Sequence, residues 1–245
     1  MRAMVLAAGL GTRLRPLTGT KPKALVEVGR RTMLEITLSR LREFGIRDVV
    51  VNAHHFADHL AGYLRANSSF GMNIEVSRED ALLDTGGGLK KAAHFFAASN
   101  EPFLLHNVDA ISNVDFGQML ELHRQHNALA TLAVQDRPSS RYLLFDERSE
   151  LCGRRIKGKK ADEIARPPAN LTPLAFCGIH IISPAIFDRM TEDGVFSIIS
   201  TYLRLAGEGA KVIAFPADEY YWRDLGTAEN IQHAEQDLRS GVLRC

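Results

Sequence analysis

Short apolar runs alternate with amphipathic segments over the first 130 residues, and this alternation constrains the fold more than any other feature of the chain. Met4 to Ala8 and Asp48 to Ala53 predict buried strands, while Leu34, Leu38 and Leu41 recur between them at helical spacing. Strands that alternate with helices favour a parallel sheet covered on both faces. We therefore predict an α/β fold, with a Rossmann-like, mostly parallel mixed sheet and helices on both faces.

The second half of the chain is richer in strands. These are predicted at Leu129 to Val134, Tyr142 to Phe145, Ala175 to Ile182 and Lys211 to Phe215. The polar segment Cys152 to Pro173 between them predicts a loop or hairpin, and a helix is predicted to open just after Gly86 to Gly88. Thr227 is the predicted N-cap of a final helix.

Two polar clusters directly follow predicted strands. Gly9 to Arg13 forms a glycine turn after the first strand, and Asn107 and Asp109 follow the strand predicted at Pro102 to Asn107. In open α/β sheets, ligands bind beyond the carboxyl ends of the strands. Backbone N–H groups at such a turn, together with nearby cations, suit a polyphosphate. The alternative is a simple tight turn beside solvated cations.

Charge supports an anion site at the start of the chain. The 245 residues contain 30 basic and 29 acidic side chains, a net charge of +1, which gives no global attraction to nucleic acid or to a membrane. Five of the basic residues and none of the acidic ones lie before Glu27. They are Arg2, Arg13, Arg15, Lys21 and Lys23.

The glycine turn does not complete either common nucleotide motif. Gly9 to Leu14 spells GLGTRL, so Leu14 stands where a dinucleotide-binding fingerprint has its third glycine. The next strand ends at Asn52 and Ala53 without the acidic residue that binds the ribose. No Gly-Lys-Ser/Thr follows the glycines, which excludes a P-loop. A hydride-transferring Rossmann enzyme is therefore disfavoured.

Five ordered stretches of the sequence form one pattern that extends over almost the whole chain. The stretches are LAAGLGTRLRPLTGTKPKALVEV (6–28), LLDTGGGLKKA (82–92), LLHNVDA (104–110), FCGIHIISP (176–184) and WRDLGTAENI (222–231). Together they resemble the sugar-1-phosphate nucleotidylyltransferase family, also called nucleotide-sugar pyrophosphorylases. The TGGG sequence, Thr85 to Gly88, is most similar to N-acetylmuramate-1-phosphate uridylyltransferases, followed by mannose- and heptose-1-phosphate guanylyltransferases.

The resemblance implies a reaction and its partners. A sugar 1-phosphate attacks a nucleoside triphosphate, UTP or GTP, and gives a nucleotide-sugar and pyrophosphate; we expect UTP with N-acetylmuramate 1-phosphate. Arg13 would bind the β- and γ-phosphates, and Lys23 the α-phosphate or the sugar phosphate. Asp109 and Asp224 would bind Mg²⁺, a hard cation that prefers oxygen ligands. The non-enzymatic alternative is a regulatory relative that binds a nucleotide-sugar.

The same resemblance implies residues that bind each substrate. The nucleotide would lie on Leu6, Ala7, Ala8, Gly9, Gly11, Thr12, Arg13, Glu79 and Gly86. The sugar would contact Asn107, Thr172, Gly178 and Trp222. The chain departs from the family pattern at Ala24, Glu27 and Val108, where prolines and a glycine are usual.

We expect one nucleotidyltransferase domain over residues 1–245. Its nucleotide-binding part would cover about 1–135, its sugar-binding part about 136–225 and a C-terminal helix about 226–245. Three separated cysteines, Cys152, Cys177 and Cys245, give neither a disulfide framework nor a zinc motif, and no apolar run is long enough for a membrane span. A cytoplasmic protein is expected, with its oligomeric state left open.

Overall fold

A computed structural model describes residues 1–97, 99–167 and 170–242; Cys245 lies outside these ranges. The strands are β1 Ala3–Leu6, β2 Glu27–Val28, β3 Arg31–Thr32, β4 Asp48–Ala53, β5 Asn73–Arg78, β6 Phe103–Asn107, β7 Ala110–Ser112, β8 Ala130–Gln135, β9 Arg141–Phe145, β10 Leu151–Ile156, β11 Glu163–Ile164, β12 Thr172–Ile182, β13 Val212–Pro216 and β14 Trp222–Asp224. The α-helices are α1 Met33–Glu43, α2 Ala57–Ala66, α3 Asp84–Lys91, α4 Ala93–Phe96, α5 Phe116–Gln125, α6 Ile198–Gly207 and α7 Ala228–Arg239.

The central sheet is mixed, as predicted. Its order is β11-β10-β9-β12-β6-β1-β4-β5, and β8 joins β12 to β13. Strands β6, β1, β4 and β5 run parallel to one another, as do β8 and β13. Strand β12 is antiparallel to β6, β8 and β9, so the second half of the chain extends the sheet with antiparallel strands.

Helices cover both faces of the sheet because its strands are apolar on both sides. In β4, Val49 and Val51 pack into one buried cluster with α1, whereas Val50 packs into the other with Tyr202 of α6. All three valines are fully buried. Burial on both faces explains why these strands appear in the sequence as continuous apolar runs. A strand with one exposed face would instead alternate apolar and polar residues.

Local signals set several helix ends. The Thr32 hydroxyl accepts a hydrogen bond from the Glu35 N–H and so caps the start of α1. The Thr227 hydroxyl accepts one from the Asn230 N–H, which confirms the predicted cap of α7. The segment Cys152 to Pro173 contains the antiparallel strands β10 and β11, so the hairpin alternative is confirmed.

The helix predicted after the glycine triplet differs in the structure. Gly86, Gly87 and Gly88 lie inside α3 and do not precede it. A second short helix, α4, continues after Ala92. Glycine disfavours helix interiors by about 1 kcal/mol, so tertiary contacts must outweigh local propensity here.

The register of the parallel strands gathers their carboxyl ends at one edge. Leu6 at the end of β1 pairs with Asn52 of β4 on one side and Asn107 of β6 on the other. Strand β14 pairs with β7 and brings Asp224 opposite Ala110. Residues from both ends of the sequence therefore meet at this edge. Among the described residues, no helix combines the length and apolarity needed to cross a bilayer.

Candidate functional site

Asn52 organises the entry to the glycine turn. Its side-chain oxygen accepts hydrogen bonds from the N–H groups of Ala7 (2.6 Å) and Ala8 (3.3 Å), and its amide donates to Glu79 (2.7 Å). Glu79 is 4% exposed, and its other oxygen accepts from the Leu83 N–H at 3.1 Å. The buried carboxylate therefore holds Asn52, which in turn satisfies two backbone donors that a nucleotide could otherwise use.

A cavity of about 320 Å³ lies against the glycine turn, and we call it the glycine-turn cavity. Leu82, 36% exposed, and Val195, 67% exposed, give it an apolar wall. Gly11 (φ 61°) brings the turn close to Lys23, because a Cβ there would be 2.8 Å from Thr18 and 3.1 Å from Lys23. The cavity is lined by Leu6, Ala8, Gly9, Lys23, Asn52, Leu82, Asp84, Thr85, Asn107, Val108, Asp109 and Val195.

The glycine triplet packs α3 closely against its neighbours. A Cβ on Gly86 would lie 2.4 Å from the Phe196 ring, one on Gly87 2.4 Å from the Gly194 carbonyl oxygen, and one on Gly88 2.8 Å from Glu79 Oε1. No larger residue fits any of these positions without a shift of its neighbours. The first turn of α3 consequently sits at the cavity, which Asp84 and Thr85 line while Gly86 does not.

A second, larger opening of about 670 Å³ adjoins the first, and we call it the carboxylate cleft. Asn107 and Asp109 line both openings. The cleft is lined by Arg13, Asn107, Asp109, Ala110, Arg137, Ser139, Ser140, Arg141, Phe176, Cys177, Gly178, Trp222 and Asp224.

Asp109 and Asp224 reach this cleft through strand pairing. Asp224 lies opposite Ala110 in the β14–β7 pair, and the Leu225 N–H donates to the Asp109 carbonyl at 2.8 Å. The Lys23 ammonium donates to the Asp109 carboxylate, and both side chains are largely buried, with 11% and 18% exposure. The predicted metal ligands and the predicted phosphate-binding lysine therefore share one site.

The Arg13 guanidinium and the Asp224 carboxylate both lie against Gly226. The Gly226 N–H donates to Asp224 Oδ1 at 2.8 Å. A Cβ at Gly226 would lie 2.5 Å from Arg13 Nη2 and 2.6 Å from Asp224 Oδ1, so only glycine permits both groups to approach. Gly226 was not among the predicted site residues. The sequence signal that could have identified it is the Gly-Thr pair that precedes α7.

Gly178 and Trp222 also line the cleft. Gly178 adopts φ 74° in β12, and a Cβ there would be 2.7 Å from the Asn107 amide nitrogen. The Trp222 indole N–H donates to the Cys177 carbonyl at 2.7 Å. Cys177 is fully buried, and burial raises the pKa of its thiol to about 12, so the side chain packs in the core as an uncharged thiol.

A third cavity of about 460 Å³ opens beside Asn107, and we call it the arginine cavity. Arg154 pairs with Glu163 and Arg155 with Asp162. Arg141 lines this cavity and also the carboxylate cleft, with no ion-pair partner in the described part of the chain. The lining is Asp84, Thr85, Asn107, Arg141, Tyr142, Leu143, Arg154, Arg155, Ile156, Phe176, His180, Ser197, Ile198 and Ile199.

The structure brings most of the predicted site residues to these connected cavities, whereas Ala7, Gly11 and Thr12 line none of the three. Glu79 and Gly86 lie behind the glycine-turn cavity, where they support its wall. Thr172 begins β12, pairs with Phe145 and lines none of the three cavities. Sequence reasoning missed Arg137 and Arg141, because an arginine in a polar segment carries no local sign of lining a cleft.

The donor set fits a hard divalent cation bound together with phosphate. Within residues 1–97, 99–167 and 170–242, no cluster of three or more His, Cys, Asp or Glu side chains forms a self-sufficient metal site. Two carboxylates on one cleft match the way Mg²⁺ is usually held, by one or two carboxylates with substrate phosphates and water. Asp109 and Asp224 would hold it.

Comparison with known proteins agrees with this site. The family model described as nucleotidyl transferase matches residues 2–241. The N-acetylmuramate alpha-1-phosphate uridylyltransferase of Caulobacter vibrioides is 34% identical over 244 residues, covering 96% of each chain. A probable mannose-1-phosphate guanylyltransferase of Oryza sativa subsp. japonica is 28% identical over 92% of this chain, which spans 61% of that longer protein.

Solved structures share the fold. HddC from Yersinia pseudotuberculosis, complexed with GMP-PN, matches with a TM-score of 0.77 at 20% identity, over 97% of this chain and 99% of its own. A UDP-glucose pyrophosphorylase complexed with UDP-glucose matches with a TM-score of 0.76 at 18% identity, over 98% of each chain. The α/β fold and the family resemblance are both confirmed, and the chain belongs to the nucleotidyl transferase family.

Proposed function

We propose that this protein transfers a nucleotidyl group from a nucleoside triphosphate to a sugar 1-phosphate and releases pyrophosphate. One observation carries the proposal: Arg13, Asp109 and Asp224 share a cleft that opens onto the glycine-turn cavity. Two carboxylates beside fixed cations suit a reaction between two phosphate groups, whose charges must be neutralised to approach each other.

The chemistry needs no protein nucleophile. An oxygen of the sugar phosphate attacks the α-phosphorus in line, the bond to the β-phosphate breaks, and pyrophosphate leaves with the electron pair. Arg13 would neutralise charge on the departing pyrophosphate, and Lys23 would bind the α-phosphate or the sugar phosphate. Catalysis then consists of positioning and charge stabilisation.

We further propose Mg²⁺ as the cofactor, held by Asp109 and Asp224. When bound, Mg²⁺ would offset the negative charge of the phosphates. Lys23 is the protein cation that pairs with Asp109. Chelation with EDTA should therefore abolish turnover, and added Mg²⁺ should restore it.

For the substrates we propose UTP and N-acetylmuramate 1-phosphate. The 34% identical relative carries this activity in its name. Support also comes from the arginine cavity, where the unpaired Arg141 suits the carboxylate that distinguishes N-acetylmuramate from N-acetylglucosamine. The apolar wall formed by Leu82 and Val195 suits a nucleobase face.

A mannose- or heptose-1-phosphate guanylyltransferase is the second candidate, because the more distant relatives include mannose-1-phosphate guanylyltransferases and one structural neighbour holds GMP-PN. A regulatory, non-catalytic role is the third; it is disfavoured because Arg13, Lys23, Asp109 and Asp224 are all present.

Pyrophosphate release across four nucleoside triphosphates and a panel of sugar 1-phosphates tests all three candidates. We expect the highest kcat/KM for UTP with N-acetylmuramate 1-phosphate, and at least a tenfold lower value with N-acetylglucosamine 1-phosphate. Asp109→Asn and Asp224→Asn should each remove turnover while leaving the thermal unfolding transition in place. A folded wild-type protein that is silent with every pair would refute the enzymatic proposal.

A further inference from the structure

Arg137 is a rigidly held cation on the Trp222 side of the carboxylate cleft. Its guanidinium carbon lies 3.8 Å from the centroid of the Trp222 ring, and Nη2 donates to the Phe176 carbonyl at 3.0 Å. The indole is itself fixed by its hydrogen bond to Cys177. A stacked guanidinium with one anchored nitrogen has lost most of its rotamer freedom before any ligand arrives.

The hydrogen-bonding capacity of Arg137 is not satisfied within the described residues. Its Nε is buried and has no hydrogen-bond partner, and no described carboxylate lies within ion-pair distance of the guanidinium. Several other partly buried arginines are paired, as Arg204 is with Glu192 and Arg223 with Asp237. Because a partly buried cation without a counter-charge is costly, this position points to an anion supplied by a ligand.

The position of Arg137 in the cleft indicates which anion it would bind. Phe176, whose carbonyl anchors Arg137, lines both the carboxylate cleft and the arginine cavity. Arg137 therefore stands where the cleft meets the cavity assigned above to the sugar. Arg13 lines the same cleft beside Gly226, and Lys23 lines the glycine-turn cavity.

We propose that Arg137 binds the phosphate of the sugar 1-phosphate, with Trp222 as the platform that holds the guanidinium in place. The inference rests on the proposed function and deepens it, because it assigns separate cations to the two reacting phosphates. Arg13 serves the leaving pyrophosphate, whereas Arg137 holds the attacking phosphate. Stacking through the face of the guanidinium leaves the N–H groups of Nη1 and the second N–H of Nη2 to donate to phosphate oxygens, since Nε is buried and the other Nη2 N–H is bound to Phe176.

The single tryptophan of the chain allows a direct binding test. Trp222 fluorescence is followed while inorganic phosphate, N-acetylmuramate 1-phosphate or unphosphorylated N-acetylmuramate is added. We expect the phosphate-bearing ligands to change the emission of the wild type, and Arg137→Gln to weaken their binding by roughly ten- to a hundredfold. No response in the wild type, or equal affinity in the variant, would overturn the proposal.

Steady-state kinetics separate a phosphate contact from a structural role. Arg137→Gln should raise KM for the sugar 1-phosphate by roughly tenfold or more and change KM for the nucleoside triphosphate less than twofold. Arg137→Lys, which keeps the charge but loses the planar fork, should recover part of the loss. Arg124→Gln, at a surface pair with Glu101, is the matched control and should behave as wild type.

Two other results are informative. A rise in KM for the nucleoside triphosphate instead would place Arg137 on the pyrophosphate side and contradict the assignment. If the wild type turns over no substrate pair, the proposed function fails, yet the fluorescence titration still decides whether Arg137 binds a phosphate ester.

Discussion

Gly226→Ala should disable the site without unfolding the protein. The new Cβ would lie 2.5 Å from Arg13 Nη2 and 2.6 Å from Asp224 Oδ1, where ordinary contacts begin near 3.4 Å. Each group must therefore retreat by about 0.8 Å, or the backbone must move by the same amount. A displacement of about 1 Å in a reacting constellation costs on the order of a hundredfold in rate.

The expected loss is thus about a hundredfold in kcat/KM, equivalent to about 2.7 kcal/mol of transition-state stabilisation. The effect on folding should be small, because Gly226 does not have the positive φ that strains an alanine. We expect the thermal midpoint to shift by no more than about 4 °C, which corresponds to about 1 kcal/mol in a chain of this size.

Gly62→Ala is the matched control. Gly62 lies in α2, and the nearest atom to its added Cβ is the end of Arg65 at 4.0 Å. Pyrophosphate release should be unchanged, and stability should rise by about 0.5–1 kcal/mol because alanine favours a helix. If Gly226→Ala kept kcat/KM within threefold of wild type, the close placement of Arg13 and Asp224 would not be needed for turnover, and the prediction would be refuted.

Three further predictions concern the buried polar groups and the cleft. Burial lowers the pKa of His106 from 6.5 to about 4 and that of His180 to about 3, so the unfolded state binds more protons below pH 6.5. The unfolding free energy from urea titrations should therefore fall from pH 6.5 to 4, by up to about 1.4 kcal/mol per pH unit for each histidine; a flat profile would contradict this. Asn52→Ala leaves two buried backbone donors without a partner and removes one of the two hydrogen bonds to the Glu79 carboxylate, and should cost about 2–3 kcal/mol in the same assay and raise KM for the nucleoside triphosphate. Gly178→Ala places a Cβ 2.7 Å from the Asn107 amide at a φ of 74°, and should raise KM for the sugar 1-phosphate; an unchanged KM would show that this amide does not touch the sugar.

Elements with a strong local signal could be predicted closely. The strand predicted at Asp48 to Ala53 is observed with the same bounds, because a run buried on both faces has no competing amphipathic arrangement. The cap at Thr227 was equally local, since a side-chain hydroxyl and an N–H three residues later form it. The glycine triplet was misplaced relative to its helix because intrinsic propensity disfavours Gly86 to Gly88 in a helix and close tertiary packing overrides it.

The site residues also fall into two groups, those with a local sequence signal and those that only the fold brings together. Arg13 and Lys23 stand out in sequence because they lie in an acid-free segment behind a glycine turn. Asp109 and Asp224 were predicted as metal ligands only from the family resemblance, since residues 115 positions apart meet through the β14–β7 pairing. Nothing in the sequence marks Arg137, whose significance comes from having an aromatic platform and no described counter-charge.

The sequence by itself determined the alternation of strands and helices, the basic segment without acidic residues before Glu27 and the membership of a family of nucleotidyl transferases. These follow from local patterns of hydrophobicity, glycine and charge, which chain order preserves. Only the tertiary structure decided which charges are paired and which face an open cleft. The pairing of charges depends on distances of a few ångströms between remote segments, such as those from Lys23 to Asp109 and from Arg13 to Asp224. The register of the paired strands sets these distances.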